Sequence, residues 1–325
     1  MKSLTYIPLS ECFVQVSMPG TLGNGSKSTI NYFLMQRIFL FILVALLTQQ
    51  FSVAQTGIEI PQMSGCDDLV KDFLNTHDIP GASFALTKNG KLVYHRAFGN
   101  ANINGTQITQ PHHVFRIASI SKPITSIAIM KMMEQNQLRL TDKVFGNGGI
   151  LANHPQVSQA NISDQRIYNI TVQHLLEHSA GWDRTVNCFP NPTTPYPFNF
   201  SGCDPIVAPL HVTQTNGTSN PATEEDMIIF LLEKGLDFAP NTRNSYSNIG
   251  YLVLGEIIEQ VSGMSYENYV KTNVLESLGI CDMHMASNLR SQKKEREVEY
   301  VGNGYTTRSC YGTGSTVKWE YGGFN

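Results

Sequence analysis

The sequence predicts an α+β fold in which an antiparallel sheet is flanked by helices. Residues 82–86 and 91–95 have the composition of strands, and Asn89-Gly90 between them is a strong signal for a tight hairpin turn. Apolar residues recur at helical spacing in most of the other segments. The predicted helices cover residues 66–80, 124–132, 172–178, 224–234, 249–261 and 266–278.

The composition is that of an ordinary globular protein. The 325 residues carry a formal net charge of −3, with 41% hydrophobic and 15% charged residues. This length suffices for one or two cores. The nearly neutral balance argues against a nucleic-acid partner, which would usually require a basic face.

Residues 35–54 predict a signal peptide. Arg37 precedes an apolar run over residues 38–47, and the small residues at 52–54 suit cleavage directly after them. The polar, featureless residues 1–34 are interpreted as a disordered extension.

A cleaved signal peptide predicts that the mature protein is secreted. The apolar run is short for a transmembrane helix, so no stable membrane span is expected after signal cleavage. In the alternative, an uncleaved segment 38–54 anchors the chain in a membrane. Five acceptor sequences for N-glycosylation support secretion. Their asparagines are Asn104, Asn161, Asn169, Asn199 and Asn216.

Secretion also permits disulfide bonds, because the extracellular environment is oxidising. Of the six cysteines, Cys12 precedes the predicted cleavage site, which leaves an odd number. Cys66 is therefore either free or paired with a cysteine outside this chain. The two candidate disulfides are Cys188 with Cys203 and Cys281 with Cys310.

Ser119 and Lys122 predict a nucleophile with its base. Ser119 opens an apolar helix, and Lys122 follows one turn later on the same face. A serine hydroxyl is a poor nucleophile until a neighbouring base takes its proton, and a lysine can be that base when burial favours its neutral form. The same spacing recurs after Ser291 and Ser315, but only Ser119 begins a long apolar helix.

Tyr246 and Asn248 form a second chemical constellation. They follow a loop and begin a predicted helix, a position where functional groups are usually presented. A tyrosine that faces the nucleophile can share or relay its proton. The amide of Asn248 can bind a substrate carbonyl and hold Lys122.

Together these motifs resemble the serine β-lactamase-related family, which includes class C β-lactamases, D-alanyl-D-alanine carboxypeptidases and related esterases. The matching stretches are residues 115–122, 175–181, 246–251 and 266–279, in this order. The resemblance implies a β-lactamase/transpeptidase-like domain over residues 60–325, with a helical, loop-rich subdomain at about 123–245.

The resemblance also implies the chemistry. Ser119 would be acylated by an ester or amide of a small molecule or peptide, Lys122 and Tyr246 would share the base role, and Asn248 would orient the substrate. No metal or organic cofactor is implied, and the oligomeric state is left open.

One sequence motif of the family has no clear match in this chain. The third motif, Lys-Thr-Gly or His-x-Gly on a late strand, has only a weak counterpart at Gly312-Thr313-Gly314. We therefore expect a domain whose last strands are absent and whose hairpin has an open edge. Loss of one oxyanion-hole donor on that strand would lower the rate by ~10² to 10³.

Two other functions are weighed against the hydrolase. A catalytically inactive binding protein on the same fold is one, since a fold does not determine a function. The other is a zinc hydrolase, because His174, Glu177 and His178 form an H-x-x-E-H pattern. A structural role for His178, at the end of its helix, is the simpler interpretation.

Overall fold

The sheet is antiparallel and is built on the predicted hairpin. In the computed structural model its strands are β1 (Gln55–Gly57), β2 (Gly81–Lys88) and β3 (Lys91–Gly99), in the order β1-β3-β2. Asn89 and Gly90 turn the chain with φ angles of 53° and 72°, as a tight two-residue hairpin requires. The predicted α+β class is confirmed, and β2 lies at one edge of the sheet.

The structure describes residues 54–186, 204–205, 208–220, 222–287 and 292–300, together with the backbone of two short strands near the end of the chain. Several predicted features lie outside these residues. They are the extension 1–34, residues 35–53 of the signal peptide, Asn199, Cys12, Cys188, Cys203, Cys310 and Gly312-Thr313-Gly314.

Helices account for most of the described structure. The α-helices are α1 (Ser64–Thr76), α2 (Ser121–Glu134), α3 (Val172–Leu176), α4 (Pro209–Asn216), α5 (Glu224–Lys234), α6 (Asn248–Ser262) and α7 (Tyr266–Val270). Shorter 3₁₀ turns cover Pro61–Met63, Ala118–Ile120, Val157–Gln159, Gln165–Asn169 and Glu276–Leu278, and Lys271–Leu275 is a π-helix. The strands β4 (Thr306–Thr307) and β5 (Val317–Lys318) form a separate antiparallel pair.

The main core lies between the helices, where α2, α3, α5 and α6 bury their apolar faces. In α2, Ala128, Ile129 and Met132 are fully buried, whereas Ile127 is 52% exposed. Because each helical residue turns by about 100°, Ile129 shares the face of Ala128 and Met132 and Ile127 does not.

A smaller cluster attaches α1 to the hairpin. Leu74, Tyr94 and Phe98 are its buried members. The hydroxyl of Tyr94 donates to the carboxylate of Asp67, and Nη1 of Arg96 lies 3.6 Å from the same carboxylate. Partnered charges of this kind make burial of Asp67 tolerable.

Two segments differ from the predicted helices. The predicted helix 266–278 is instead divided into α7, the π-helix and a 3₁₀ turn that ends at Gly279. Helix α4 is not among the predicted helices. The local signals that mark it are Pro209 at the first helical position and Gly217, with φ of 66°, at its end.

No disulfide joins the two cysteines that the structure describes, Cys66 and Cys281. Cys281 is exposed in an irregular segment after Gly279. Its pairing with Cys310 stays a prediction, because Cys310 lies outside the described residues. Among the helices of the described residues, none combines the length and apolarity needed to cross a membrane.

A buried carboxyl group lies on α6. Glu256 is buried, and its Oε2 lies 3.3 Å from Nε2 of His154. Burial, followed by the charges of Glu225, Glu259 and Glu224, raises the pKa of Glu256 to about 8. The folded protein therefore holds this proton at pH values where the unfolded chain releases it.

We expect the free energy of unfolding to fall as pH rises from the ordinary carboxyl range to about 8, because the contribution of Glu256 is fully present below that range and is lost as pH rises through its folded pKa. The contribution of Glu256 has a slope of about 1.4 kcal/mol per pH unit. Denaturant unfolding between pH 5 and 8 measures it, and Glu256→Gln should flatten the dependence. The exposed Glu233, changed to Gln, is the matched control, and equal slopes in both variants would contradict the prediction.

Candidate active site

The four residues predicted to carry the chemistry lie together. Oη of Tyr246 is 2.7 Å from Oγ of Ser119, and Nζ of Lys122 is 3.4 Å from the same oxygen. Nζ of Lys122 also donates to Oδ1 of Asn248 at 2.7 Å. Residues more than 120 positions apart in sequence thus meet at one hydroxyl group.

The backbone around Ser119 has an unusual conformation that fixes the position of its side chain. It lies in the 3₁₀ turn Ala118–Ile120, directly before α2. Ala118 has φ of 45°, a left-handed conformation that is uncommon for a residue other than glycine. Such strain is typical of residues that hold a functional group in place. Lys122, one turn later, projects to the same side as Ser119.

Tyr246 is held at the other side of the site by the start of α6. Oγ of Ser247 caps this helix by accepting from the N–H of Gly250, and the N–H of Ser247 donates to Nδ1 of His178 at 3.1 Å. The His178 ring lies 4.6 Å from the ring of Tyr246 and 5.1 Å from that of Tyr251, between centroids. His178 therefore packs against the ring of Tyr246 and binds the backbone of the next residue, which fixes the position of the tyrosine.

The surroundings of Tyr246 favour its ionised form. Burial opposes ionisation, but the hydrogen bonds with Lys122 and Ser119 and the charges of Lys122 and Arg184 outweigh it. Together they lower the pKa of the Tyr246 phenol below its ordinary value. A phenol with a lowered pKa, 2.7 Å from a serine hydroxyl, is placed to take the serine proton.

The zinc pattern is not assembled as a helical pair. Helix α3 ends at Leu176, and His178 has φ of 57°, so the two histidines do not share a helical face. Nδ1 of His174 accepts from the N–H of Thr171 in a capping box. Burial, together with the charge of Lys122, lowers the pKa of His178. Across the described residues, no three His, Cys, Asp or Glu side chains are grouped to hold a metal.

Two charged residues of the site were missed by the sequence analysis. Nδ2 of Asn248 donates to both carboxylate oxygens of Asp204, at 3.0 and 2.9 Å, and Nε of Arg184 lies 3.2 Å from the same carboxylate. The Arg184 guanidinium is 5.3 Å from the centroid of the Tyr246 ring. Both come from the loop-rich region, and no local pattern marks either.

A serine at a helix start that faces a lysine and a tyrosine, on an α+β fold, defines a class of serine hydrolase-like proteins. The comparison with known families agrees. Residues 66–314 match the family described as Beta-lactamase, and because this is more than half of the chain, the chain belongs to that family.

Individual relatives are distant and longer. Penicillin-binding protein 4* of Bacillus subtilis is 26% identical over 231 residues, which cover 70% of this chain and 42% of the relative. Protein flp of Staphylococcus aureus strain MRSA252 is 25% identical over 229 residues, with 70% and 39% covered. The chain thus spans about two fifths of the length of these curated relatives.

Solved structures show the same fold. The octameric penicillin-binding protein homologue from Pyrococcus abyssi has a TM-score of 0.53 and 26% identity, covering 80% of this chain and 52% of that chain. EstCE1, described as a hydrolase with promiscuous acyltransferase activity, has a TM-score of 0.54 and 22% identity, with 78% and 62% covered. At this identity the second likeness concerns the fold alone.

The position of Arg184 leads to a prediction for the phenol. Replacing Arg184 with Gln removes a positive charge near Tyr246, so the pKa of the phenol should rise toward its ordinary value. NMR titration with ¹³Cζ-labelled tyrosine measures this, and Tyr246→Phe assigns the signal.

Arg243→Gln is the matched control. Arg243 also pairs with a buried aspartate of the same loop region, Asp183, at 2.7 Å, but it is not among the groups that shift Tyr246. A Tyr246 titration that is the same in wild type and Arg184→Gln would contradict the electrostatic account.

Proposed function

We propose that this chain is a serine hydrolase in which Ser119 forms an acyl-enzyme with an ester or amide. The observation that carries the proposal is the contact of 2.7 Å between Oη of Tyr246 and Oγ of Ser119, with Nζ of Lys122 at 3.4 Å. Membership of the β-lactamase family supports it. Small molecules and short peptides are the proposed substrates.

In the proposed acylation, ionised Tyr246 takes the proton of Ser119 while Oγ attacks the substrate carbonyl. The Lys122 ammonium stabilises the phenolate before the transfer, because its positive charge lowers the pKa of the Tyr246 phenol. The proton then passes from Tyr246 to the leaving alcohol or amine. In deacylation, a water molecule gives a proton to the phenolate while its oxygen attacks the acyl carbon. The bond from the acyl carbon to Oγ of Ser119 then breaks, Tyr246 returns the proton to Oγ, and the acid product is released.

Asn248 positions the lysine in this proposal, because its Oδ1 accepts from Nζ of Lys122 at 2.7 Å. The N-terminal end of α2 favours the negative charge that develops on the carbonyl oxygen.

Covalent labelling tests the nucleophile. A fluorophosphonate or fluorescent penicillin should label the wild-type chain at Ser119, as mapped by peptide mass spectrometry, and Ser119→Ala should abolish the label. Ser121→Ala, two residues away, is the matched control and should keep it. A folded wild-type chain that neither probe labels would favour the inactive binding protein instead.

Removal of the phenol tests the base. Tyr246→Phe should lower the rate of fluorophosphonate labelling by about 10² to 10⁴. In the wild type the rate should rise with pH as Tyr246 loses its proton, with a midpoint below the ordinary tyrosine pKa, and Tyr246→Phe should lose this rise. Labelling that is as fast in Tyr246→Phe as in the wild type would exclude the phenol as base.

We also propose that the protein is secreted and N-glycosylated. The signal-like residues 35–54 motivate this, and the asparagines of the described sequons are exposed, which glycan attachment needs. These are Asn104, Asn161, Asn169 and Asn216.

Expression of the full chain in a eukaryotic secretory host tests this proposal. We expect protein in the medium whose mass falls after treatment with an N-glycosidase, and a smaller fall after Asn→Gln changes at the exposed sequons. Protein retained in the cytosol without glycan would contradict it.

A further inference from the structure

Asp204 lies directly behind Asn248, on the side opposite Lys122. Its side chain has no solvent exposure, and its two oxygens accept from Nδ2 of Asn248 at 3.0 and 2.9 Å. Arg184 approaches the same carboxylate with Nε at 3.2 Å. A buried carboxylate is costly unless its oxygens are matched by donors, and here an amide and a guanidinium match them.

These partners allow one orientation of the Asn248 amide. A carboxylate only accepts hydrogen bonds, and an ammonium group only donates them. With Nδ2 toward Asp204 and Oδ1 2.7 Å from Nζ of Lys122, both contacts are attractive. Rotation of the amide by 180° would place its oxygen against the carboxylate and its NH₂ against the ammonium, so both contacts would become repulsive.

We propose that Asp204 is a positioning residue that locks the Asn248 amide, so that its oxygen holds Lys122 beside Ser119. The locked amide leaves Nζ of Lys122 3.4 Å from Oγ of Ser119 and 5.0 Å from the centroid of the Tyr246 ring. The kinetic consequence rests on the proposed hydrolase function. The lock itself does not, because it is a property of the resting protein.

Asp204 also connects the two sides of the site. Through Asn248 it holds the amine of α2, and through Arg184 it holds a guanidinium 5.3 Å from the centroid of the Tyr246 ring. Among the described residues, one buried carboxylate is thus linked to the two cations that face the phenol, directly to Arg184 and through Asn248 to Lys122. Loss of this group should disturb nucleophile activation even though Asp204 acts only through its neighbours.

The lock can be observed without any activity. With selective ¹⁵N-asparagine labelling, the side-chain NH₂ of Asn248 should give a signal that exchanges slowly with water, because it donates to a buried carboxylate. Asn248→Asp assigns the signal by deleting it. Asp204→Ala should abolish the protection, and the isosteric Asp204→Asn, which keeps one acceptor, should reduce it.

Asp183→Asn is the matched control. Asp183 is buried in the same region and accepts from Thr185 and Arg243. Its loss should lower thermal stability while leaving the Asn248 signal protected. If Asp204→Ala does not fold, the comparison of Asp204→Asn with Asp183→Asn decides the question.

A second experiment measures the rate of fluorophosphonate labelling, which tests the effect of Asp204 on the reactivity of Ser119. Asp204→Ala or Asp204→Asn should lower the second-order rate by about 10-fold to 10²-fold, the size expected for a displaced catalytic group. In an Asn248→Ala background the same change at Asp204 should cause a smaller loss than in the wild-type background, because only the effect through Arg184 remains. A merely structural role would give additive losses.

Each outcome has a distinct meaning. A protected Asn248 signal in Asp204→Ala or Asp204→Asn equal to that of the wild type would overturn the positioning role, as would additive rate losses. A wild-type chain that shows the lock but takes no label would count against the hydrolase function while supporting the role of Asp204 in orienting the amide.

Discussion

The Lys122 ammonium group is the point through which the parts of the site are connected. It donates to Asn248, lies within reach of Ser119, and is 5.0 and 5.5 Å from the ring centroids of Tyr246 and Tyr251. Its partners belong to α6 and to the residues just before it, whereas Lys122 and Ser119 belong to the start of α2. The packing of α2 on α6 therefore determines whether the site exists.

That packing is supplied by the helical core rather than by the sheet. Ala128, Ile129 and Met132 of α2 and Val253 of α6 are fully buried in one cluster. A large buried apolar side chain contributes roughly 1.5–3 kcal/mol, and a surface ion pair roughly 0–1 kcal/mol. The apolar contacts thus hold the two helices in position, and the polar groups of the site are arranged on that frame.

The parts of the molecule that sequence reasoning predicted are those with local signals. The Asn89-Gly90 turn, the helix predicted over residues 249–261 and the serine at the start of α2 all follow from short-range patterns in the sequence. Tyr246 and Asn248 were found because they begin a helix after a loop and match a known motif. Each of these features is encoded within a few residues, so one sequence suffices to recognise it.

Asp204 and Arg184 could not be found in this way. Their importance comes from contacts with residues far away in the chain, and Asp204 is 44 positions from Asn248. Likewise, the π-helix within 266–278 has a partner outside its own segment, because Nζ of Lys131 donates to the carbonyl of Asn273. Periodicity cannot report a contact of this kind.

The left-handed backbone of Ala118 also constrains how this site can vary. Residues with branched β-carbons are disfavoured in that region of φ and ψ, whereas Gly, Asn and Asp are tolerated. A valine or isoleucine at position 118 would favour a negative φ angle. The hydroxyl group of Ser119 would then move away from the start of α2. The identity of a small, chemically inert neighbour thus limits which natural variants of this protein can keep a reactive serine.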